Sequence, residues 1–287
     1  MRRGPAVLTT GAAPPAAPAG GGARPRRAAR AGPGRPLLGA LGIAALLMLW
    51  EAAPRLGAVS ARHLPPASEV LATLAERAAT PAFWAAVGDT LTGWALGLAI
   101  AFAAAVLLGL TLGSLPRVRA FTDSTVDLLR PIPSVALIPL AVLMYGTDLR
   151  STLLLVVYAS FWLLYIQVLY GVADVDPVAE QTARSYGLGR LARVRHVVWP
   201  TTLPYLMTGL RLAAAVALIL SVTAQLVIGS PGLGREIAVA QSSGAVASVY
   251  ALIVATGGLG VLVNTGVRVL ERRVLHWHAS VRGEAAA

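Results

Sequence analysis

The chain has 287 residues, 56% of them hydrophobic and 13% charged, with a mean hydropathy of +0.69. A soluble domain carries about 25% charged residues, so the composition excludes an ordinary water-soluble enzyme. The absence of Cys excludes disulfides, thiolate metal sites and Cys nucleophiles. The net charge of +11 comes from 24 basic residues, all of them Arg, and their positions decide between a nucleic-acid partner and a membrane.

Residues 1–35 are mostly Ala, Gly, Pro and Arg, with Arg2, Arg3, Arg24, Arg26, Arg27, Arg30 and Arg35 among them. Such a segment buries too little apolar area to offset its ordering entropy and reads as a disordered basic cytoplasmic tail. It lacks the aromatic side chains on which bases stack, so no nucleic-acid partner is expected. Six apolar stretches follow, roughly 36–53, 91–113, 131–146, 152–172, 205–229 and 248–270. Each is compared with the roughly 20 helical residues that cross a bilayer. The first is short; basic residues before it and Ala58-Val59-Ser60-Ala61 after it also fit a cleaved signal peptide, although a retained anchor is favoured. With six spans and a cytoplasmic N-terminus, 17 Arg fall on the cytoplasmic side and five on the other, while Arg130 and Arg211 lie at or within spans. The positive-inside rule therefore places both termini in the cytoplasm of a multi-pass cell-membrane protein. Between the first two spans, Ser68 reads as the N-cap of a short interfacial helix bearing Val70, Leu71 and Leu74 on one face.

The third stretch holds Arg130-Pro131-Ile132-Pro133 and then Leu137-Ile138-Pro139-Leu140. Each Pro removes a backbone donor and breaks or kinks a helix, which is tolerated at membrane depth only against protein or a cavity. Arg130, Pro131, Pro133 and Pro139 are therefore gate or pathway candidates, with a kinked packing helix as the alternative. Asp123, Asp127 and Arg130 share one helical face, and the Asp127–Arg130 spacing permits an ion pair. Arg130 at the cytoplasmic boundary, snorkelling to water, is the other reading.

The loop at 173–204 is long for a membrane connection and carries its own pattern. Pro177 suits a first helical turn, Ala183 and Gly187 place small residues on one face, and Gly187 and Gly189 allow a turn. Leu188, Leu191, Val194, Val197 and Val198 form a second apolar stripe flanked by Arg; Pro200 ends it and Pro204 opens the fifth span. The expected structure is an amphipathic helix pair on the cytoplasmic face, shaped for docking.

Gln181-Thr182-Ala183, three further residues, Gly187 and then Val197-Val198-Trp199-Pro200 resemble the signature of permease subunits of binding-protein-dependent ABC importers. Leu203-Pro204-Tyr205, Gly209-Leu210-Arg211-Leu212-Ala213, Gly232-Leu233-Gly234 and the two proline motifs fit the same family. With Leu64-Pro65-Pro66-Ala67-Ser68-Glu69-Val70 they are similar to its nitrate/sulfonate/taurine subgroup, over roughly residues 36–278. Two positions depart: Glu180 precedes Gln181, which stands at the motif's acidic place, and Gln225 stands where the subgroup implies Glu.

The resemblance implies an all-α membrane protein of about six helices with a type I importer permease (MetI-like) fold. The permease domain would be 36–278, and 279–287 a cytoplasmic tail. A helix at 178–192 would couple to a cytoplasmic ATPase through Glu180, Gln181, Thr182, Ala183, Gly187, Arg190 and Pro200. Gln225 joins the gate candidates. An extracytoplasmic solute-binding protein, two ATPase subunits and a second copy of the chain are the implied partners, and the solute is a small anion of the sulfonate, taurine or nitrate class. No cofactor or metal is implied. The chain has no GxxxxGK[ST] phosphate loop, so ATP hydrolysis is expected in a separate subunit. The alternative, an ATP-independent secondary transporter or channel, is disfavoured because no Asp or Glu falls inside the spans after Glu51.

Overall fold

A computed structural model describes residues 34–113 and 124–276, and every described element is helical. The tails at 1–33 and 277–287, together with Arg117, Arg119 and Asp123, lie outside the described residues. In chain order the elements are α1 (Gly34–Arg55), α2 (Ala67–Ala78), α3 (Pro81–Gly113), α4 (124–129), α5 (Ile138–Tyr145), α6 (Leu149–Ala173), α7 (Pro177–Ser185), α8 (Arg190–Arg193), α9 (Trp199–Ile228), α10 (Leu233–Ser242) and α11 (Val246–Val274). Five described helices are long and apolar enough to cross a membrane: Leu38–Arg55, Pro81–Gly113, Leu149–Ala173, Arg190–Ile228 and Val246–Val274.

The third expected span, 131–146, holds only a short apolar helix, Ser134–Tyr145, which is not long enough to count among the five spans. α4 ends at 129, residues 130–133 are non-helical, and a 3-10 turn at Ser134–Leu137 leads into α5. Pro131 and Pro133 account for the break, because each lacks the N–H that would continue the ladder and restricts the residue before it, whereas Pro139 sits in the first turn of α5. The fifth span corrects the sequence reading in the opposite sense. Pro200 does not end a helix and Pro204 does not begin one, since helical backbone runs unbroken from Arg190 to Ile228. A π-helical turn at Val194–Val198 ends two residues before Pro200, the wide geometry that accommodates a ring unable to donate to the preceding turn. The second span begins at Pro81, ten residues before the apolar stretch starts at Leu91.

The core is built by α3, α6 and α9. Gly93, Gly97, Ala101, Ala105 and Gly109 recur every fourth residue along the buried face of α3. A Cβ at Gly97 would stand 2.5 Å from Val156 Cγ1, and one at Gly109 2.5 Å from Val168 Cγ1. Small residues thus let the backbones of α3 and α6 approach closely, which substitutes for a hydrophobic driving force between helices in lipid. Helices α6 and α9 run antiparallel: Gly171 meets Thr202 near one end, and Leu155 packs with Ala224 and Ile228 near the other.

Helix α1 stands apart, with Leu41, Leu46 and Leu49 exposed along it. Among the described residues its contacts are at the C-terminal end. Trp50 Nε1 donates to the Pro65 carbonyl at 3.1 Å, and the Glu51 carboxylate accepts from Ser68 N at 2.9 Å and Ser68 Oγ at 2.8 Å. Ser68 is therefore not the N-cap expected from sequence. Pro66 holds that position, and a carboxylate from another helix supplies the acceptor that the first-turn amide needs.

Candidate functional site

The helix expected at 178–192 is not continuous: α7 ends at Ser185, residues 186–189 turn, and α7 is defined at both ends by local chemistry. At its start the Asp176 carboxylate accepts from Val178 N at 2.8 Å while Pro177 fills the first turn. At its end Gly187 takes φ +77°, and Leu188 N donates to the Ala183 carbonyl at 3.0 Å. This is the left-handed exit that glycine makes without strain. Ala183 is buried beneath the helix, whereas Gln181, Thr182, Gly187 and Arg190 are exposed. Glu180 faces the body: its Oε1 accepts from Arg184 at 2.7 Å and from Arg193 at 3.1 Å, tying α7 to α8. Beyond this strap three large apolar side chains are also uncovered, Val178 67%, Tyr186 80% and Leu191 84% exposed, among polar neighbours. Pro200 is also exposed, in the first turn of α9. Of the coupling candidates, Glu180 and Ala183 fasten α7 to the body, and the others face outward.

Across the bundle from this loop, the proline segment lies against α6. The Tyr158 hydroxyl donates to the Leu129 carbonyl at 2.6 Å, capturing an acceptor freed where α4 stops. Tyr158 lies nine residues beyond Leu149, about 14 Å along the helix at 1.5 Å per residue. Arg130 therefore neighbours the middle of α6, whereas Ile138 beside Pro139 packs with Leu155 nearer its N-terminal end, and Arg130, Pro131, Pro133 and Pro139 are all exposed in the single chain. Among the described residues no ion pair joins Asp127 to Arg130, and Asp123 lies outside them. Ser151 Oγ bonds the carbonyls of Ala141 (3.1 Å) and Gly146 (2.7 Å), closing the α5–α6 corner.

Gln225 occupies a different setting from the proline segment. It is fully buried near the C-terminal end of α9. Its Oε1 lies 2.9 Å from the Thr90 hydroxyl and accepts from Gly234 N at 3.2 Å, while Leu233 N donates to the Thr90 oxygen at 2.9 Å. One amide and one hydroxyl thereby knit α3, α9 and the start of α10. Gln225 Nε2 is buried with no partner among the described residues. Thr152 and Ser230 share a further buried hydroxyl contact of 2.8 Å between α6 and the α9–α10 turn. Sequence reasoning singled out Gln225 but missed Thr90 and Ser230. Their signals are a small polar residue beside the glycine-rich face of α3, and the Gly229-Ser230-Pro231-Gly232 turn. No group of three or more His, Cys, Asp or Glu that could hold a metal occurs among the described residues.

Residues 97–276 match the family of binding-protein-dependent transport system inner membrane components. The taurine transport system permease protein of Escherichia coli is 32% identical over 245 residues, covering 84% of this chain and 89% of that protein. A putative aliphatic sulfonates transport permease of Bacillus subtilis is 29% identical, covering 84% and 87%. A nitrate import permease protein of Leptolyngbya laminosa is 27% identical, covering 67% and 69%. An inward-facing structure of the MetNI methionine ABC transporter shares the fold at a TM-score of 0.59 and 18% identity, covering 68% of this chain and 99% of that one. The chain belongs to this family: it is an inner-membrane permease of the ABC importer class and not an enzyme, and the family implies ATPase and binding-protein partners. That membership sets aside an ATP-independent carrier or channel.

Proposed function

We propose that the chain forms one half of the pathway of an importer for a small organic or inorganic anion, and that α7 is its coupling helix. The carrying observation is α7 itself. It is capped at both ends, strapped to α8 through Glu180, and bears the exposed Val178, with Tyr186 exposed at its C-cap and Leu191 exposed on α8. A rigid helix with exposed apolar side chains on and beside it suits a cleft in a partner, and the cytoplasmic ATPase is the partner the family supplies. Gln181, Thr182, Gly187 and Arg190 rim the contact and Pro200 lies at its edge, while Glu180 and Ala183 set its angle. ATP-driven closure of the two ATPases would draw the α7 helices of two copies together and swing the bundles between inward-open and outward-open states.

The second copy follows from the proline segment. Arg130 and the open backbone at 130–133 follow Leu129, whose carbonyl Tyr158 holds at the middle of α6, and they are exposed among the described residues of one chain. A charge and broken backbone at that depth require protein or water opposite them, so this face would line the pathway of a homodimer, with Pro131, Pro133 and Pro139 at the bend. Both termini are assigned to the cytoplasm on the Arg distribution, and retention of α1 is supported by Glu51, which caps α2. The permease domain is assigned to 36–278. The solute class, an aliphatic sulfonate, taurine or nitrate, is suggested by what the relatives' names state. The test is co-purification with the cognate ATPase. Wild type is expected to hold the ATPase and Gly187→Arg to lose it, while stability in detergent falls only by the conformational cost of a side chain at φ +77°, about 1 kcal/mol. An intact complex in the variant overturns the assignment of α7.

A further inference from the structure

A groove of about 520 Å³ runs between α9 and α11. One end holds Arg211 and Asn264, and Leu218, Ile219, Val222 and Ile253 wall the remainder. We propose that this groove seats one anionic phospholipid of the cytoplasmic leaflet, its phosphate at Arg211 and Arg268 and one acyl chain along Ile219 and Val222. Such a seat is independent of the imported solute and uses only the cytoplasmic assignment of this end of the bundle.

Three observations carry it. The first is where the charge lies. Arg211 meets Glu271 Oε2 at 3.5 Å, and Glu271 stands three residues before the end of α11. Long side chains lean toward the N-terminus of their helix, which for Arg211 is the cytoplasmic end, so its guanidinium reaches headgroup level. The pair is longer than a good charge-assisted hydrogen bond and the Arg211 side chain is 44% exposed, which leaves guanidinium donors open to a phosphate. Arg268 lies four residues after Asn264 and three before Glu271, on the same face of α11. Arg272 and Arg273 follow, and among the described residues no ion pair engages any of these three. Four Arg thus stand against one Glu.

The second observation is depth. Arg211 to Val222 is eleven residues, about 17 Å of helix, against about 15 Å for half of a hydrocarbon core. The groove therefore runs from headgroup level through one leaflet, the path of an acyl chain. In its far half the Thr256 hydroxyl donates to the Leu252 carbonyl at 2.8 Å, so it needs no polar ligand. The third is an open furrow. Ile219 and Ile253 are exposed, a Cβ at Gly257 would meet nothing within 4 Å, and one at Gly260 only Leu218 Cδ2 at 3.6 Å. In α3 the missing Cβ lets helices touch; here it leaves space. A basic end continuous with an apolar furrow between membrane helices complements an amphiphile with one anionic head. A soluble anion would leave the furrow unfilled, and an apolar helix of a second copy would leave the Arg cluster unpaired.

The test is native mass spectrometry of the purified full chain, titrated with phosphatidylglycerol and with zwitterionic phosphatidylethanolamine of the same acyl chains. Wild type is expected to bind phosphatidylglycerol at least fivefold more tightly. Arg211→Gln and Arg268→Gln should each lower that affinity about fivefold, the contribution of one Arg near an anionic headgroup, and leave phosphatidylethanolamine unchanged. Ile219→Trp, which fills the furrow from an exposed position, should weaken both lipids. Arg195→Gln should alter neither, because this exposed Arg lies sixteen residues before Arg211, about 24 Å of helix. Equal binding of the two lipids by wild type overturns the proposal. So does a loss in Arg195→Gln that matches Arg211→Gln, which marks diffuse attraction to the basic face. Displacement of the lipid by inorganic phosphate overturns it in favour of a soluble anion. A dimer that Ile219→Trp dissociates with lipid binding intact overturns it in favour of a second copy. Since Arg211→Gln also unpairs Glu271, Arg268→Gln and Ile219→Trp decide the outcome if that variant fails to fold.

Discussion

The two ends of α9 are joined to the rest of the chain in opposite ways. At the C-terminal end, Gln225 and Thr90 bury a polar network whose donors include the backbone amides of Leu233 and Gly234. At the N-terminal end, α7 and α8 meet the body through Glu180 and Arg193, which are partly open to solvent, and expose their apolar side chains. A buried network fixes geometry because breaking it strands unpaired donors in a medium without water. A surface strap holds a helix in place yet leaves its face free for a partner. The neutral amide of Gln225 suits the first role, since a carboxylate there would have to be buried as a charge.

Four substitutions sharpen this contrast. The largest loss of stability is expected from Gln225→Leu, which removes the acceptor for Gly234 N and the Thr90 hydroxyl; about 3 kcal/mol should vanish from unfolding in detergent. Thr90→Val keeps the shape but leaves Leu233 N without its acceptor, and the same measurement should show about 1–2 kcal/mol. Gly187→Ala places a Cβ at φ +77° in otherwise open space, so the cost is conformational alone, about 1 kcal/mol. It should weaken ATPase capture while leaving the C-terminal network untouched. Smallest is Glu180→Gln, where a solvent-screened strap contributes under about 1 kcal/mol. Its readout is reduced transport per ATP hydrolysed, with thermal unfolding unchanged. A large stability loss from Glu180→Gln, or none from Gln225→Leu, would collapse the distinction between the two ends.

Much of α7 was legible in the sequence because its signals are local. Pro177, Ala183 and Gly187 act within a few residues of one another, and the structure places a capped helix and a left-handed turn there. Hydropathy likewise located the long spans. The helix boundaries at prolines were misjudged, because the same residue that stops a helix at Pro131 is absorbed by a π-turn before Pro200. Nothing within either short motif distinguishes the two outcomes; the backbone around them does. Ser68 was misread for a related reason, since the acceptor that serves its helix comes from Glu51 in another element.

The sequence alone determined that the chain spans a membrane, which stretches are apolar enough to do so, and where a short capped helix follows Pro177. These follow from composition, charge asymmetry and turn chemistry, all of which act over short distances. Tertiary structure decided which polar residues are buried together, which glycines close a helix pair and which open a groove, and that Arg211 meets Glu271. Those outcomes depend on the register between helices far apart in the chain, and register is set by the summed packing of whole faces rather than by any one motif.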